Sequence, residues 1–238
     1  MLFRSGDFGD SFVYKRPVLD LIMERAPASI ELSGAALLLA IIVAIPIGVY
    51  SAVKRGKFID IAGRIFAFLG MSAPTFWVGL MGIYLLGVKA KLLPVGGRGG
   101  IESLILPTVV LAWGLAAGIA RLARSGMMDV LNSDYITMAR AKGVSEQVII
   151  WKHAFKNASI PVVTMITLLM IIVLSGTVVT ETIFAWPGLG RFIMTSVLNR
   201  DYPVVQGVTI VISFTFIVVN LLGDIIYAYL NPKIRYQR

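Results

Sequence analysis

The sequence predicts an all-α fold, a polytopic bundle of membrane-spanning helices, and three observations carry that prediction. Of 238 residues, 57% are hydrophobic and only 15% charged, and the mean hydropathy is +0.83; a soluble domain of this length needs far more polar surface. Five stretches free of charge, 32–53, 65–88, 103–120, 157–180 and 202–223, are each long enough to cross a hydrocarbon core as helix, which takes roughly 17 to 25 residues. None alternates apolar and polar residues as barrel strands do. Five transmembrane helices are therefore expected.

Charged residues set the limits of each run. The first ends at Lys54 and Arg55, and the second begins after Arg64. The third is the shortest, carries Pro107 near its start, and can be extended by Arg121 and Arg124, whose long side chains snorkel to an interface. The fourth stops at Glu181 and the fifth before Asp224, so no run holds an ionisable residue fit for a proton relay. Cysteine is absent, which excludes disulfides and thiolate metal sites, and the single His153 cannot form a zinc site alone.

All 22 Lys and Arg lie outside the runs; thirteen follow the first, third and fifth, and nine fall on the opposite side. By the positive-inside tendency the thirteen are cytoplasmic, with the amino terminus outside and the carboxyl terminus inside. Residues 1–29 are then an extracytoplasmic segment and 30–238 a transmembrane domain that includes a cytoplasmic loop at 125–157. Residues 1–29 contain no positive stretch followed by an apolar core that would export them. A preceding helix absent from this chain would account for the outside amino terminus, as would translocation of a short polar tail after insertion. The basic side can face anionic lipid or an acidic partner; nucleic acid is not expected, because the cations are tied to membrane edges.

Between the third and fourth runs, residues 134–161 read as two short amphipathic helices joined by a glycine. Ser133 or Asp134 can cap the first, Arg140 and Lys142 suit its last turn, and Gly143 supplies a left-handed stop. Ser145 can cap the second, in which Val144, Val148, Trp151 and Phe155 share an apolar face while Lys152, His153 and Lys156 lie off it. Such a helix-turn-helix has one face to bury and one to present, as a docking element does; periodicity also allows a solvated loop with interfacial helices.

Enzymatic signatures are missing. Gly96, Gly97, Gly99 and Gly100 around Arg98 lack the Gly-Lys-Ser/Thr ending of a phosphate-cradling loop and read as a flexible outer loop. No nucleophile elbow or His-Glu-x-x-His pattern is present, so no catalytic residue and no metal site is expected. Uphill movement of a solute would need an ion gradient or an ATPase on another chain, and the uncharged runs argue against the ion gradient.

The segment Ala139-Arg140-Ala141-Lys142-Gly143, continuing to Lys152-His153-Ala154-Phe155-Lys156-Asn157-Ala158 and Pro161, resembles the EAA loop of binding-protein-dependent ABC importer permeases, in the form found in dipeptide, oligopeptide and nickel permeases. Further matches follow in order: Gly6-Asp7-Phe8-Gly9 with Ser11-Phe12, Arg25-Ala26-Pro27, Ser72-Ala73-Pro74-Thr75-Phe76-Trp77, Glu181-Thr182-Ile183-Phe184 with Trp186-Pro187-Gly188-Leu189-Gly190, Arg200-Asp201-Tyr202-Pro203, and Asn231-Pro232-Lys233-Ile234-Arg235. Two departures stand out. The spacing from Gly143 to Pro161 is longer than in the general EAA pattern, though it fits the peptide subfamily, and the first helix of the family has no counterpart here.

The resemblance implies a subunit of the prokaryotic cytoplasmic (inner) membrane, paired with a second permease subunit around one pathway. Two cytoplasmic ATPase subunits would hold ATP and Mg, so that this chain has no cofactor of its own and is not an enzyme, and an extracytoplasmic solute-binding protein would deliver the solute. It further implies ATPase coupling through Ala139, Arg140, Ala141, Lys142, Gly143, Val148, Trp151, His153, Phe155 and Asn157. Glu181, Phe184, Trp186, Pro187 and Gly188 read as an outer gate or re-entrant element, or else as an interfacial aromatic belt with a turn. Ser72, Thr75, Ser175, Thr177, Thr180 and Asn220 can line the pathway or hydrogen-bond between helices. The expected solute is a di- or oligopeptide, with nickel chelates and glutathione as alternatives. An ion-coupled carrier or channel, and a membrane enzyme or scaffold, are the other classes left open.

Overall fold

The computed structural model describes the backbone of residues 8–230 and, apart from 171, 172, 174–176, 224 and 226–230, their side chains. The chain forms α1 (Val18–Val53), α2 (Phe58–Ser72), α3 (Thr75–Gly82) with a π-helical continuation at Ile83–Lys89, α4 (Ile101–Leu131), α5 (Asp134–Ala141), α6 (Glu146–Val148) with a π-helical continuation at Ile149–Ala154, α7 (Phe155–Ile183), α8 (Leu189–Leu198) and α9 (Tyr202–Leu230). An isolated antiparallel bridge joins Asp10 to Pro17, and no strand occurs among the described residues. The all-α expectation holds.

The number of spans is smaller than five among the described residues. Three helices are long and apolar enough to cross a membrane, within α1, α4 and α9, and the broken pair of α2 with α3 makes up to four. Run 157–180 lies inside α7, where part of the side chains fall outside the described set. Run 65–88 is not one helix. Ala73 (φ −78, ψ 125) and Pro74 (φ −62, ψ 128) are both extended, because the proline ring clashes with a helical conformation at the residue before it. Pro107, by contrast, sits inside α4. The boundary drawn at 29/30 falls within α1, which is helical from Val18 onward.

The chain divides into two compact units. The first comprises Met1–Leu37, Pro74–Leu111 and Met170–Val219. Its core joins Val18, Leu21 and Ile22 of α1 to Phe192 of α8 and Val204 and Val208 of α9, with Leu106, Val110 and Phe184 as a second cluster. At the start of α9 the fully buried Asp201 accepts hydrogen bonds from the Ser11 hydroxyl and from the backbone N–H groups of Phe12 (3.0 Å) and Val13 (3.3 Å). Two motif fragments 190 residues apart thus form one anchor.

The second unit comprises Leu38–Ala73, Ala112–Leu169 and Asn220–Arg238. Its core is built from Val49, Ala52, Met127, Ile136, Ile149, Ile150, Ala154 and Ala158. Asp60, only 2% exposed, accepts a two-pronged bond from Arg124 (Nε 2.7 Å, Nη2 3.1 Å) and a further one from the Gly56 N–H (2.9 Å). Arg124 therefore does not snorkel; it neutralises a buried carboxylate, which would be costly to leave alone. Small residues let backbones approach: a Cβ on Gly48 would lie 2.6 Å from the Ala120 carbonyl, and one on Gly126 would lie 3.0 Å from that of Ala158.

Gly48→Val should accordingly overpack α1 against α4 and cost about 1–3 kcal/mol, read as a lower thermal midpoint of the purified protein in detergent. Gly34→Ala on the same helix meets nothing within 4 Å and, because alanine favours the helix over glycine, should hold or raise the midpoint; equal losses for the two would refute the close-approach account.

Candidate functional site

Residues 134–158 fold as the sequence predicts in outline and differently in detail. Gly143 is in the left-handed region (φ +77). Its N–H donates to the Arg140 carbonyl (3.0 Å) and the Val144 N–H to the Ala139 carbonyl (3.2 Å), which is the paired bonding of a Schellman stop. Ala139 and Val144, the two residues such a stop brings together, both pack on the core of the second unit. Nothing lies within 4 Å of where a Cβ on Gly143 would be, so the glycine is required for handedness and not for room. Arg140 ties the two helices together through Glu146 (2.8 Å).

Neither serine caps as expected. Ser133 and Ser145 occupy the N-cap positions without a side-chain cap bond, and the Ser133 hydroxyl donates instead to the Val130 carbonyl (2.6 Å). The buried face of the second helix also differs. Ile149, Ile150 and Ala154 are buried, while Val148 and Trp151 are each 39% exposed. The cause is the π-helical stretch, where the Phe155 N–H reaches back five residues to Ile150: residues five apart, such as Ile149 and Ala154, align there, and a 3.6-residue period selects the wrong ones. Val144 and Phe155 remain half-buried against the core. Trp151 meets Tyr50 of α1 edge-on (6.1 Å) and Phe155 (5.6 Å).

Asn157 and His153 are linked by a residue without a motif signal. The Asn157 amide donates to the Tyr135 hydroxyl (2.8 Å), which in turn donates to the His153 carbonyl (3.4 Å). The His153 backbone, and not its ring, takes part. Ala141 and Lys142 are exposed beside Gly143. Met138, Val148, Trp151 and Tyr135 leave an exposed apolar surface around the turn, next to a cavity of ≈ 450 Å³ lined by Tyr50, Lys54, Gln147 and Trp151 among others.

The 181–191 element is more buried than an aromatic belt. Phe184 is 1% exposed, and Trp186 and Glu181 are fully covered. The Trp186 ring N–H donates to the Ala28 carbonyl (2.8 Å). The Glu181 carboxyl accepts the Ser29 hydroxyl (2.6 Å) and the Arg191 N–H (2.9 Å), and Ser29 accepts the Leu189 N–H (2.8 Å). Glu181 and Ser29 thereby serve the free N–H groups at the start of α8, where helix geometry favours an acid. A Cβ on Gly188 would collide with the Glu181 carboxyl, and one on Gly190 would lie 2.6 Å from the Val178 backbone. Pro187 is exposed. The glycine loop is tethered: the Gly97 N–H donates to the Phe184 carbonyl (2.8 Å), and Arg98 pairs with Glu31 (2.6 Å).

Of the other polar candidates, Ser72, Thr75 and Asn220 are exposed, Thr177 and Thr180 are buried, and the side chain of Ser175 lies outside the described set.

Residues 44–236 match the family described as binding-protein-dependent transport system inner membrane component. The chain belongs to that family. It is a multi-pass permease component of the inner membrane. Among curated relatives it is 42% identical to the oligopeptide transport system permease protein AppB of Bacillus subtilis, over 97% of this chain and 77% of that protein. It is 41% identical to the glutathione transport system permease protein GsiC of Salmonella choleraesuis (98% and 76%) and 39% identical to the dipeptide transport system permease protein DppB of Escherichia coli (98% and 78%). The fold resembles that of the MetNI methionine ABC transporter solved in inward-facing conformations, with a TM-score of 0.75 at 17% identity over 89% of this chain and 96% of that one. An amino acid ABC transporter gives a TM-score of 0.61 at 15% identity, over 90% and 94%.

In this permease Glu181→Ala would leave the Ser29 hydroxyl and the Arg191 N–H without an acceptor and cost roughly 2–4 kcal/mol. Thermal unfolding in detergent should show the loss, with Glu181→Gln, which keeps one acceptor oxygen, recovering part of it. Identical midpoints for wild type and Glu181→Ala would remove the capping role.

Proposed function

We propose that this chain is one half of the pathway of an ATP-driven importer for di- or oligopeptides, working with a second permease subunit, two cytoplasmic ATPase subunits and an extracytoplasmic solute-binding protein. The reading is carried by the 134–158 helix pair, a rigidly stopped turn with a buried inner face on the ends of α1, α4 and α7 and an exposed apolar outer face. A motion imposed on that outer face is passed to long helices because the inner face shares their core. Positive-inside charge puts the pair, and the carboxyl terminus, on the cytoplasmic side, within reach of ATPases that would bind ATP and Mg. The chain itself needs no nucleotide site and acts as no enzyme.

The peptide assignment rests on relatives named for oligopeptide and dipeptide transport, and the relative named for glutathione, itself a short peptide, makes that solute the second reading. The 181–191 element acts as an outer gate whose buried anchors are Glu181, Phe184 and Trp186. Ser72, Thr75 and Asn220 are its exposed polar candidates for the pathway wall.

Two measurements test the coupling. Gly143→Val forces a β-branched residue into the left-handed region at a cost of roughly 1–2 kcal/mol; insertion should stay normal while peptide uptake falls and ATP hydrolysis is lost or uncoupled. Cysteines at Met138 and Val148 should crosslink to the ATPase. Unchanged uptake by Gly143→Val, or crosslinks to the solute-binding protein instead, would overturn both the docking role and the orientation.

A further inference from the structure

The second compact unit contains a cavity of ≈ 480 Å³ between α1, α2 and α4 that the coupling reading does not use and that shares only Ser72 with the pathway candidates. Its lining is divided by chemistry. α2 contributes Arg64 and then, four and seven residues further along the same face, Phe68 and Met71. At 1.5 Å per residue the guanidinium end and the far apolar wall are about 10 Å apart along the helix. α4 contributes Arg121 and Arg124, which begin where the uncharged run 103–120 stops. The cationic end therefore lies at the edge of the hydrocarbon-matched segments and the apolar end within them.

Charge and hydrogen bonding at that end are unbalanced. Asp60 is the acid that pairs there, and it is occupied by Arg124 at 2.7 Å, with Arg64 only at 3.6 Å. Arg121 lines the cavity and forms no ion pair among the described residues. Ser51, 1% exposed, is also among the lining residues, and its hydroxyl is buried without a hydrogen-bond partner. A Cβ at Gly63 would land on that hydroxyl, so glycine is what lets α2 pack directly over it.

We propose that this cavity is a binding site for an anionic phospholipid. Its phosphate accepts hydrogen bonds from Arg121 and Arg64, and an acyl chain lies along Phe68 and Met71. Guanidinium forks suit phosphate oxygens, and the excess positive charge selects an anionic headgroup over a zwitterionic one. A soluble anion would satisfy the arginines but leave the apolar wall uncovered.

The test uses the intact protein purified with its partner subunits in detergent and incubated with an equimolar mixture of phosphatidylglycerol and phosphatidylcholine, the lipid retained after gel filtration being counted by mass spectrometry. Saturable enrichment of phosphatidylglycerol is expected. It should fall roughly fivefold for each of Arg64→Gln and Arg121→Gln, the discrimination of one cation near an anionic surface, while Lys57→Gln leaves it unchanged. Should one arginine variant fail to assemble, the other decides, and should both fail, loss of enrichment in Arg121→Lys, which keeps the charge but not the fork, decides. No enrichment, or enrichment that survives Arg64→Gln and Arg121→Gln, overturns the proposal. So does displacement of the lipid by millimolar inorganic phosphate, which would make the site one for a soluble anion, or by a short peptide, which would make it part of the solute pathway.

Discussion

In hydrocarbon, a backbone N–H or carbonyl without a partner costs on the order of several kcal/mol, and that constraint shapes three connections among the described residues. Helices satisfy their own interior. Their ends and the connecting turns cannot, and here buried acids do the work. Among the described residues three acids are buried, Asp60, Glu181 and Asp201, and each accepts at least one backbone N–H from a turn: Gly56 to Asp60, Arg191 to Glu181, Phe12 and Val13 to Asp201. Two of the three also hold a serine hydroxyl, Ser29 or Ser11. An acid accepts at two oxygens with several lone pairs, so one side chain can fix two strands of connection where a neutral residue would fix one.

The same logic separates what is legible in the sequence from what is not. The helical class is legible because uncharged length is a one-dimensional property, read directly along the chain. Gly143 is legible because a left-handed stop is local. The acid anchors are not, since Ser11 and Asp201, Ser29 and Glu181, or Asp60 and Arg124 meet only through the fold. Arg124 shows how the reasoning misleads: a cation just past an apolar run looks like a snorkelling residue, and only the neighbouring helix reveals its carboxylate. Phe184 and Trp186 mislead in the opposite direction, because aromatic residues at the end of a span look interfacial until the Trp186 ring N–H is seen to have a buried carbonyl partner.

Periodicity fails for a different reason in the second helix of the 134–158 pair. A period of 3.6 presumes α geometry, and a π-helical stretch shifts every later residue around the axis. Trp151 is thereby turned outward and Ala154 inward, while Val148, ahead of the stretch, is exposed and Ile149 and Ile150, at its start, are buried. The error leaves the proposed role in place and changes the residues that perform it: the outward set is the one available to a partner. Tyr135 joins them through its hydroxyl bonds to Asn157 and His153, a link that no motif signals because tyrosine at that position is consistent with any exposed helix face.

The acid anchors also differ from the turn at Gly143 in how they respond to dissolved salt. Glu181 and Asp201 are fully covered and bond mainly to backbone N–H groups and hydroxyls, where mobile ions do not penetrate. The Arg140–Glu146 bridge has side chains 44% and 60% exposed, within easy reach of an ionic atmosphere whose screening length is about 8 Å at physiological strength. Added salt would therefore weaken the side-chain tie between α5 and α6 while the turn around Glu181 keeps its shape.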